Sequence, residues 1–232
     1  IMDLLKKIKN KLRRITYLFL FKPGSPGSLV REFFNPDLYI NSIAIQSKWC
    51  EQAVKEYTNP DKYPFSATIE NEKFNGNYLK LCNEVIKPFA KDKICLEIGC
   101  LDGKWSIPIA MNSKKSYLCD LDKVIEGTLA KRLDAKNIPR DKWVFCEING
   151  YDLKDFKDNS IEFIFSIDSL TRAPTEAIKN YIYESVRILK NESSIAILHL
   201  PLSEDHGSRK TRHTKLKLVE LIKILGDLNV RY

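Results

Sequence analysis

Ile94-Cys-Leu-Glu-Ile-Gly-Cys-Leu-Asp-Gly103 is the stretch of sequence that decides the fold. Its short apolar run followed by glycines and a helical pattern predicts a buried strand that turns directly into a helix. Glycine lets the backbone pass close to a ligand, and the amides at the start of the next helix can donate hydrogen bonds. The next apolar run, Tyr117-Leu-Cys-Asp120, ends in a carboxylate about 20 residues further on, where an acid can accept both hydroxyls of a ribose. The two runs together predict a nucleotide-type ligand at the ends of two strands.

From residue 92 onward, short apolar runs alternate with helical patterns. The predicted strands are Ile94–Ile98, Ser116–Cys119, Trp143–Ile148, Ile161–Ile167 and Ser194–Leu200. The helical patterns lie near residues 104–112, 123–136, 174–190 and 214–225. This alternation predicts an α/β fold with a mostly parallel twisted sheet and helices on both faces. Ligands of such sheets bind at the carboxyl ends of the strands.

These motifs, in this order, resemble the class I S-adenosylmethionine-dependent methyltransferases, which have a Rossmann-like fold. Glu97-Ile-Gly-Cys-Leu-Asp-Gly103 is similar to the family's first motif, acid-x-Gly-x-Gly-x-Gly, with Leu101 in place of the middle glycine. Asp120 matches the acid that binds ribose, with Asp122 as an alternative in a shifted register. Asn149 stands where an Asp normally meets the adenine amino group. Ser185-Val-Arg-Ile-Leu-Lys190 resembles the helix end before the fifth strand, with Asn191-Glu-Ser-Ser where Pro-Gly-Gly is usual.

The resemblance implies an enzyme with S-adenosylmethionine as its cofactor. The cofactor-binding residues that it implies are Glu97, Gly99, Cys100, Leu101, Gly103, Asp120, Leu121, Asn149, Gly150 and Ser166.

A second resemblance concerns the acceptor of the methyl group. Phe165-Ser-Ile-Asp-Ser-Leu170 is similar to the F-S-F-D-S-L-V-H stretch of methyltransferases associated with bacterial surface-polysaccharide and sugar methylation. It implies O-methylation of a sugar or glycan precursor. A hydroxyl acceptor must lose its proton, so we expect a base here, with Asp168 as the first candidate and His199 as the second. Arg172, Arg209, Arg212 and His213 would suit a phosphorylated or lipid-linked acceptor.

Other functions remain open at this point. The chain could be an RNA or other small-molecule methyltransferase, or a non-catalytic partner subunit with the same fold. The net charge of +8 is concentrated in residues 1–22, which carry +6, and residues 208–217, which carry +5, so the rest of the chain is slightly acidic. That distribution disfavours nucleic acid as a partner. The sequence contains no metal-ligand spacing, and the incomplete G-x-G-x-x-G fingerprint disfavours a nicotinamide cofactor.

The predicted domains are a basic amphipathic helix over residues 1–22, a linker over 23–28, a helical extension over 29–90 and the catalytic domain over 91–232. On a helical wheel, the apolar residues of the first segment share one face and its basic residues take the other. The segment could contact an anionic membrane or an acidic partner, or it could pack on the main domain.

The six cysteines are never closer than five residues apart, which indicates reduced thiols and therefore a cytoplasmic protein. If residues 1–22 bind the membrane, we expect the protein to be peripheral at its inner face. After the last predicted helix, residues 226–232 leave room for one strand, where the family usually has two. We therefore expect that the native chain continues beyond Tyr232; the alternative is that the sheet edge is completed differently, for example by a second subunit in a homodimer.

Overall fold

The computed structural model describes residues 17–21, 77–170, 173–200, 202 and 216–230. The chain divides into two compact units. We call Ile43–Asn149 the central unit, and Ile1–Ser42 together with Gly150–Tyr232 the flanking unit.

The described part of the central unit begins with a helical segment. It consists of α1 (Asn77–Leu81), a π-helical turn (Cys82–Ile86) and α2 (Lys87–Ala90). The sequence predicts a break at Lys87-Pro88, but the helical path continues to Ala90. Proline lacks an N–H and its ring crowds the carbonyl four residues earlier, and the wider π-helical turn before Pro88 accommodates both defects.

Three parallel strands form the sheet of the central unit. They are β2 (Ile94–Ile98), β3 (Lys115–Asp120) and β4 (Trp143–Glu147), with β3 between the other two. The connections contain α3 (Ser106–Asn112), a 3₁₀ turn (Lys123–Ile125), α4 (Glu126–Asp134) and a second 3₁₀ turn (Arg140–Lys142). In the register, Cys119 is opposite Cys146 and Asp120 is opposite Glu147, so β3 and β4 end at the same edge.

A hydrophobic core holds α3 and α4 against this sheet. It is built around Trp143, which is fully buried, with Leu118 from β3 and Leu129 and Leu133 from α4. Cys100, in the loop after β2, is part of the same core. The loop that follows β2 is therefore anchored in this buried core.

The flanking unit contains the remaining described strands and helices. Strand β5 (Phe163–Ser166) is parallel to β6 (Ile195–Leu200), and α5 (Thr175–Ile188) connects them. Helix α6 (Leu218–Asp227) follows later in the chain. Each of the five strands predicted between residues 94 and 200 overlaps a strand of the structure.

Residues 17–21 correct one prediction. The sequence predicts a helix over residues 1–22, but Tyr17–Phe21 form strand β1, which pairs antiparallel with β6 from Tyr17 opposite Leu200 to Phe21 opposite Ala196. The run Tyr-Leu-Phe-Leu-Phe combines aromatic and aliphatic residues that favour strands, and the edge of β6 offers it unpaired backbone groups. The sheet edge beside β6 is thus completed by an earlier segment of the same chain. The structure does not describe residues 1–16 or 22–76. The rest of the predicted helix, the linker and most of the predicted extension therefore lie outside the described residues, as do residues 231–232.

Within the described residues, no helix has the length and apolar character needed to cross a bilayer.

Candidate functional site

The loop between β2 and α3 has a backbone shape that depends on glycine. Gly99 and Gly103 have φ values of 80° and 95°, which side-chain-bearing residues rarely adopt. The N–H groups of Gly99 and Cys100 both donate to the Cys119 carbonyl, at 2.8 and 3.0 Å, so the loop turns while still attached to β3. A Cβ on Gly103 would lie 2.8 Å from Leu129 Cδ1, closer than packed carbon atoms approach. The loop is therefore held against α4 with no room for a side chain at Gly103.

Leu101 occupies the place of the family's middle glycine and adopts the glycine-like conformation. Its φ is 43°, in the left-handed region that costs an L-residue roughly 1–2 kcal/mol. Its N–H donates a 2.7 Å hydrogen bond to Asp120 Oδ2. This charge-assisted bond offsets the strain, since such bonds contribute about 1.5–3 kcal/mol.

Asp120 is buried at the carboxyl end of β3 and is fixed by two backbone amides. Leu101 N–H binds Oδ2, and Leu121 N–H binds Oδ1 at 2.8 Å. These two hydrogen bonds fix the direction of the carboxylate at the end of the strand. Asp122, the alternative acid, accepts a hydrogen bond from Val124 N–H and caps the 3₁₀ turn. Its side chain therefore has a local structural role.

Glu97 is buried in the structure, so its carboxylate is not exposed for binding a ligand. It is 1% exposed, and Ser106 Oγ donates to its Oε2 at 2.5 Å. Burial raises the pKa of Glu97 to about 8, the negative charge of Asp120 adds to this, and the Ser106 hydrogen bond opposes it. The contact joins the end of β2 to the first residue of α3, so Glu97 supports both ends of the glycine loop.

A buried ion pair in the same loop has no counterpart among the predicted site residues. Asp102, inside the glycine motif, pairs with Arg132 on α4, and both side chains are buried. The pairing gives the loop a second attachment to α4, next to the contact at Gly103. Arg132 lies between Leu129 and Leu133 on the buried side of α4, and an arginine on an apolar helical face is the sequence signal that could have revealed the pair.

The remaining predicted cofactor residues of this unit differ in exposure. Cys100 is buried in the hydrophobic core, so a ligand would meet its backbone rather than its thiol. Leu121 contributes its N–H to Asp120. Asn149 is exposed in the turn after β4.

In the flanking unit, the two candidate bases are in direct contact. Asp168 Oδ1 lies 2.9 Å from His199 Nδ1, and the Asp168 N–H donates to the same nitrogen at 3.2 Å. Asp168 follows the end of β5, has a left-handed φ of 66° and is 69% exposed, whereas His199 near the end of β6 is 15% exposed. The buried Ser166 and the partly buried Ser169 share a 2.6 Å hydrogen bond that closes the turn between them. Gly150, also in this unit, has a φ of 75°.

The chain matches a protein family over a continuous stretch of these elements. Residues 96–197 match the family described as "Methyltransferase domain". The match begins in β2, includes the glycine loop, Asp120 and Asp168, and ends in β6 two residues before His199. Residues 96–197, which are 102 of the 232 residues, are therefore similar to a methyltransferase domain. The predicted enzyme class and cofactor are thereby confirmed, whereas the sugar-specific subgroup is not.

Solved structures share the fold of this methyltransferase domain. Phosphoethanolamine N-methyltransferase 1 of Haemonchus contortus, in complex with phosphoethanolamine and S-adenosylhomocysteine, is 10% identical, with a TM-score of 0.57. The match covers 78% of this chain but only 36% of that one. The DhpI–S-adenosylhomocysteine complex is 10% identical, with a TM-score of 0.53 and coverage of 83% of this chain and 86% of that one.

The [4+2]-cyclase SpnF has a similar fold, although its name describes a cyclisation and not a methyl transfer. It is 18% identical, with a TM-score of 0.50, and the match covers 64% of this chain and 55% of SpnF. These similarities confirm the predicted Rossmann-like α/β fold with its parallel strands, and they say nothing about the acceptor. No curated protein matches the chain.

The arginine of the motif at residues 185–190 has a structural role. Arg187, on α5, donates to the buried Glu184 from Nε at 3.1 Å and from Nη2 at 2.8 Å. It also donates to the carbonyls of Leu153 and Phe156 at 3.0 and 2.9 Å, and to Asp158 Oδ1 at 2.5 Å. Glu184 accepts the Leu153 N–H at 3.2 Å. The motif therefore anchors the segment before β5 to α5.

The predicted acceptor-binding residues Arg172, Arg209, Arg212 and His213 lie outside the described residues. Within the described residues, no group of three His, Cys, Asp or Glu side chains is arranged to hold a metal ion.

Proposed function

We propose that this protein transfers the methyl group of S-adenosylmethionine to a hydroxyl of a sugar or glycan precursor in bacterial surface-polysaccharide biosynthesis. The observation that carries the proposal is the contact between Asp168, just past the end of β5, and His199, near the end of β6. A carboxylate paired with an imidazole can remove the proton of a neutral hydroxyl, which is the step that O-methylation needs beyond the methyl donor. The similarity of Phe165–Leu170 to the sugar methyltransferase motif supports the choice of acceptor.

The central unit would hold the cofactor. Asp120, held at the carboxyl end of β3 by Leu101 N–H and Leu121 N–H, would bind the ribose hydroxyls. The side-chain oxygen of Asn149 would accept from the adenine amino group. Gly99, with its φ of 80°, would let the loop backbone approach the cofactor closely. The cofactor supplies an electrophilic methyl group.

Charge supports an anionic acceptor. Residues 208–217 carry five basic side chains and no acidic one. Three arginines, Arg172, Arg209 and Arg212, would bind a phosphate-bearing acceptor such as a nucleotide-linked or lipid-linked sugar. Guanidinium groups suit this role because they bind phosphate with two parallel hydrogen bonds. His213 would complete this group. We treat RNA as an alternative acceptor that the experiment must exclude.

The test begins with cofactor binding by calorimetry. Asp120→Ala should weaken S-adenosylmethionine binding by about 1.5–3 kcal/mol, because charged hydrogen bonds to the ribose are lost. The matched control is Asp122→Ala, which removes a neighbouring carboxylate that caps the 3₁₀ turn and should leave affinity unchanged. The reverse pattern would move ribose binding to Asp122.

The second part of the test identifies the acceptor. Methyl-labelled S-adenosylmethionine is incubated with the wild-type protein and with sugar nucleotides, lipid-linked sugars, glycans and RNA in parallel. Label attached to a sugar oxygen supports the proposal. Label on RNA alone, or on a nitrogen acceptor alone, would overturn it while leaving the methyltransferase assignment intact.

A further inference from the structure

Two cysteines lie side by side in the sheet of the central unit, next to the candidate cofactor site. Cys119 on β3 is the register partner of Cys146 on β4. Leu118 and Phe145, one position earlier on each strand, are also partners, and they pack in the core with α4. Because side chains alternate along a strand, Cys119 and Cys146 share the opposite face of the sheet.

The two thiols are close enough to react with each other. Their side chains form a hydrogen bond, and neither residue is part of a disulfide in the structure. Neighbouring strands are about 4.7–4.9 Å apart, which lies within the Cα separations of about 4.4–6.8 Å found in disulfides. Cys146 Sγ also lies 4.0 Å from the Val144 carbonyl oxygen, a contact too long to hold the sulfur away from Cys119.

The environments of the two thiols differ. Cys119 is fully buried, whereas Cys146 is partly exposed on a strand that, among the described strands, pairs with β3 alone. Burial, followed by the hydrogen bond with Cys146 and the charge of that residue, raises the pKa of the Cys119 thiol well above its ordinary value. Cys119 therefore keeps its proton and can donate it to the Cys146 sulfur, which favours the thiolate at Cys146. An oxidant from solution reaches Cys146 first.

Cys119 also supports the glycine loop. Its carbonyl accepts the N–H groups of Gly99 and Cys100 at 2.8 and 3.0 Å, and the next residue is Asp120, which fixes Leu101. A disulfide needs Cβ atoms about 3.5–4.5 Å apart, which is closer than the spacing of the strands. Forming the bond would pull β3 towards β4 directly beside these contacts.

We propose that Cys119 and Cys146 form a reversible disulfide on exposure to hydrogen peroxide, and that this bond weakens cofactor binding. The disulfide goes beyond the proposed function, since it would form whatever the methyl acceptor is. In the first step the Cys146 thiolate attacks one peroxide oxygen and the O–O bond breaks, which leaves a sulfenic acid and a hydroxide ion. In the second step the Cys119 sulfur displaces the hydroxyl of the sulfenic acid, and the Cys119 proton leaves with it as water. The two thiols together lose two electrons, which the peroxide gains.

Peptide mapping tests the pairing. The protein is treated with hydrogen peroxide and digested with trypsin without reductant. The two cysteines fall in separate tryptic peptides, residues 116–123 and 143–154, each with one cysteine, so the disulfide gives a distinct cross-linked mass that dithiothreitol removes. Cys146→Ser should lose this product. Cys82→Ser, which removes a thiol from the π-helical turn, is the matched control and should keep it.

Calorimetry on the same samples tests the effect on the cofactor. In the oxidised wild type, the dissociation constant of S-adenosylmethionine should rise by about tenfold or more, the scale of one charge-assisted hydrogen bond, and dithiothreitol should restore it. Cys146→Ser should bind equally well before and after peroxide treatment. The proposal is overturned if no cross-link joins the two peptides, if Cys119 is linked to Cys100 instead, or if the cross-linked protein keeps its affinity. If the reduced wild type bound no S-adenosylmethionine, the cofactor assignment would fail, and the cross-linked peptide would still decide the pairing.

Discussion

At the scale of single residues, Gly103 illustrates how the loop shape depends on one missing methyl group. Gly103→Ala places a Cβ 2.8 Å from Leu129 Cδ1 and puts an L-residue at a φ of 95°. We expect the free energy of unfolding to fall by about 1–3 kcal/mol, from strain together with the clash. Cofactor affinity should fall as well, because the loop must shift away from α4. Denaturant unfolding and calorimetry measure the two effects.

Gly127 provides the matched control for this substitution. It lies in α4, and a Cβ at this position would meet nothing within 4 Å. Gly127→Ala should therefore stabilise the protein by roughly 0.5–1 kcal/mol, the usual gain for alanine over glycine in a helix. Equal effects at the two positions would show that the packing against Leu129 does not constrain the loop.

Glu97 makes the stability of the fold dependent on pH. An unfolded chain loses the Glu97 proton near pH 4.5, whereas burial raises the pKa of the folded state to about 8. Between these values the folded state binds more protons than the unfolded state, so stability falls as pH rises, by up to about 1.4 kcal/mol per pH unit. Glu97→Gln cannot ionise, so its unfolding free energy should decline less between pH 5 and pH 8 in denaturant titrations.

The control for Glu97 is a carboxylate at the protein surface. Glu126, at the start of α4, pairs with Arg140 at 3.1 Å in an exposed ion pair. Glu126→Gln should keep the pH slope of the wild-type protein. An identical slope for Glu97→Gln and wild type would mean that Glu97 is ionised in the folded state.

At the scale of elements, the connection of α5 to the segment before β5 depends on Arg187. Its guanidinium holds Glu184, Asp158 and two backbone carbonyls. Hydrogen bonding to Glu184, followed by that to Asp158, raises the pKa of Arg187, so its charge is firmly maintained. Arg187→Ala would leave the buried carboxylate of Glu184 without its cation, and breaking such a pair costs about 3–5 kcal/mol.

Thermal or denaturant unfolding measures the loss of unfolding free energy in Arg187→Ala, and Lys190→Ala serves as the control. Lys190, three residues after Arg187, forms an exposed ion pair with Glu162 at 3.4 Å. Exposed pairs contribute under about 1 kcal/mol, so the control should lose little. Comparable losses in both variants would contradict a structural role for the arginine of this motif.

At the scale of the whole molecule, two truncations separate the possible roles of the first segment. Removing residues 1–16 deletes a basic stretch with a net charge of +5 and keeps β1 intact. Removing residues 1–21 also deletes β1 and leaves β6 without its antiparallel partner. We expect the shorter deletion to keep the melting temperature, and the longer one to lower it by about 5 °C or more and promote association through the open edge.

Salt-sensitive binding to anionic vesicles tests the membrane contact expected from the basic segment. Full-length protein should bind and the 1–16 deletion should not, while both retain cofactor affinity. Equal melting temperatures for the two deletions would show that β1 does not stabilise the sheet.

Local features of the sequence were sufficient to predict the main elements around the site. Strands such as Ile94–Ile98 are short apolar runs between turn residues, and the glycine loop and Asp120 follow directly from their ends. These features were predictable because apolar periodicity and glycine conformation depend on neighbouring residues.

The tertiary structure alone decided which distant residues meet. The Asp168–His199 contact joins positions 31 apart, and the Asp102–Arg132 pair joins positions 30 apart. No local pattern specifies such contacts, because they depend on how strands and helices pack. The segment Tyr17–Phe21 shows the same limit: its apolar run is compatible with a helical face and with a strand, and only the edge of β6, nearly 180 residues later, selects the strand. The sequence by itself therefore determined the α/β fold and the glycine loop with Asp120, and tertiary packing decided the partner of His199, the ion pair that holds the loop and the strand that completes the sheet edge.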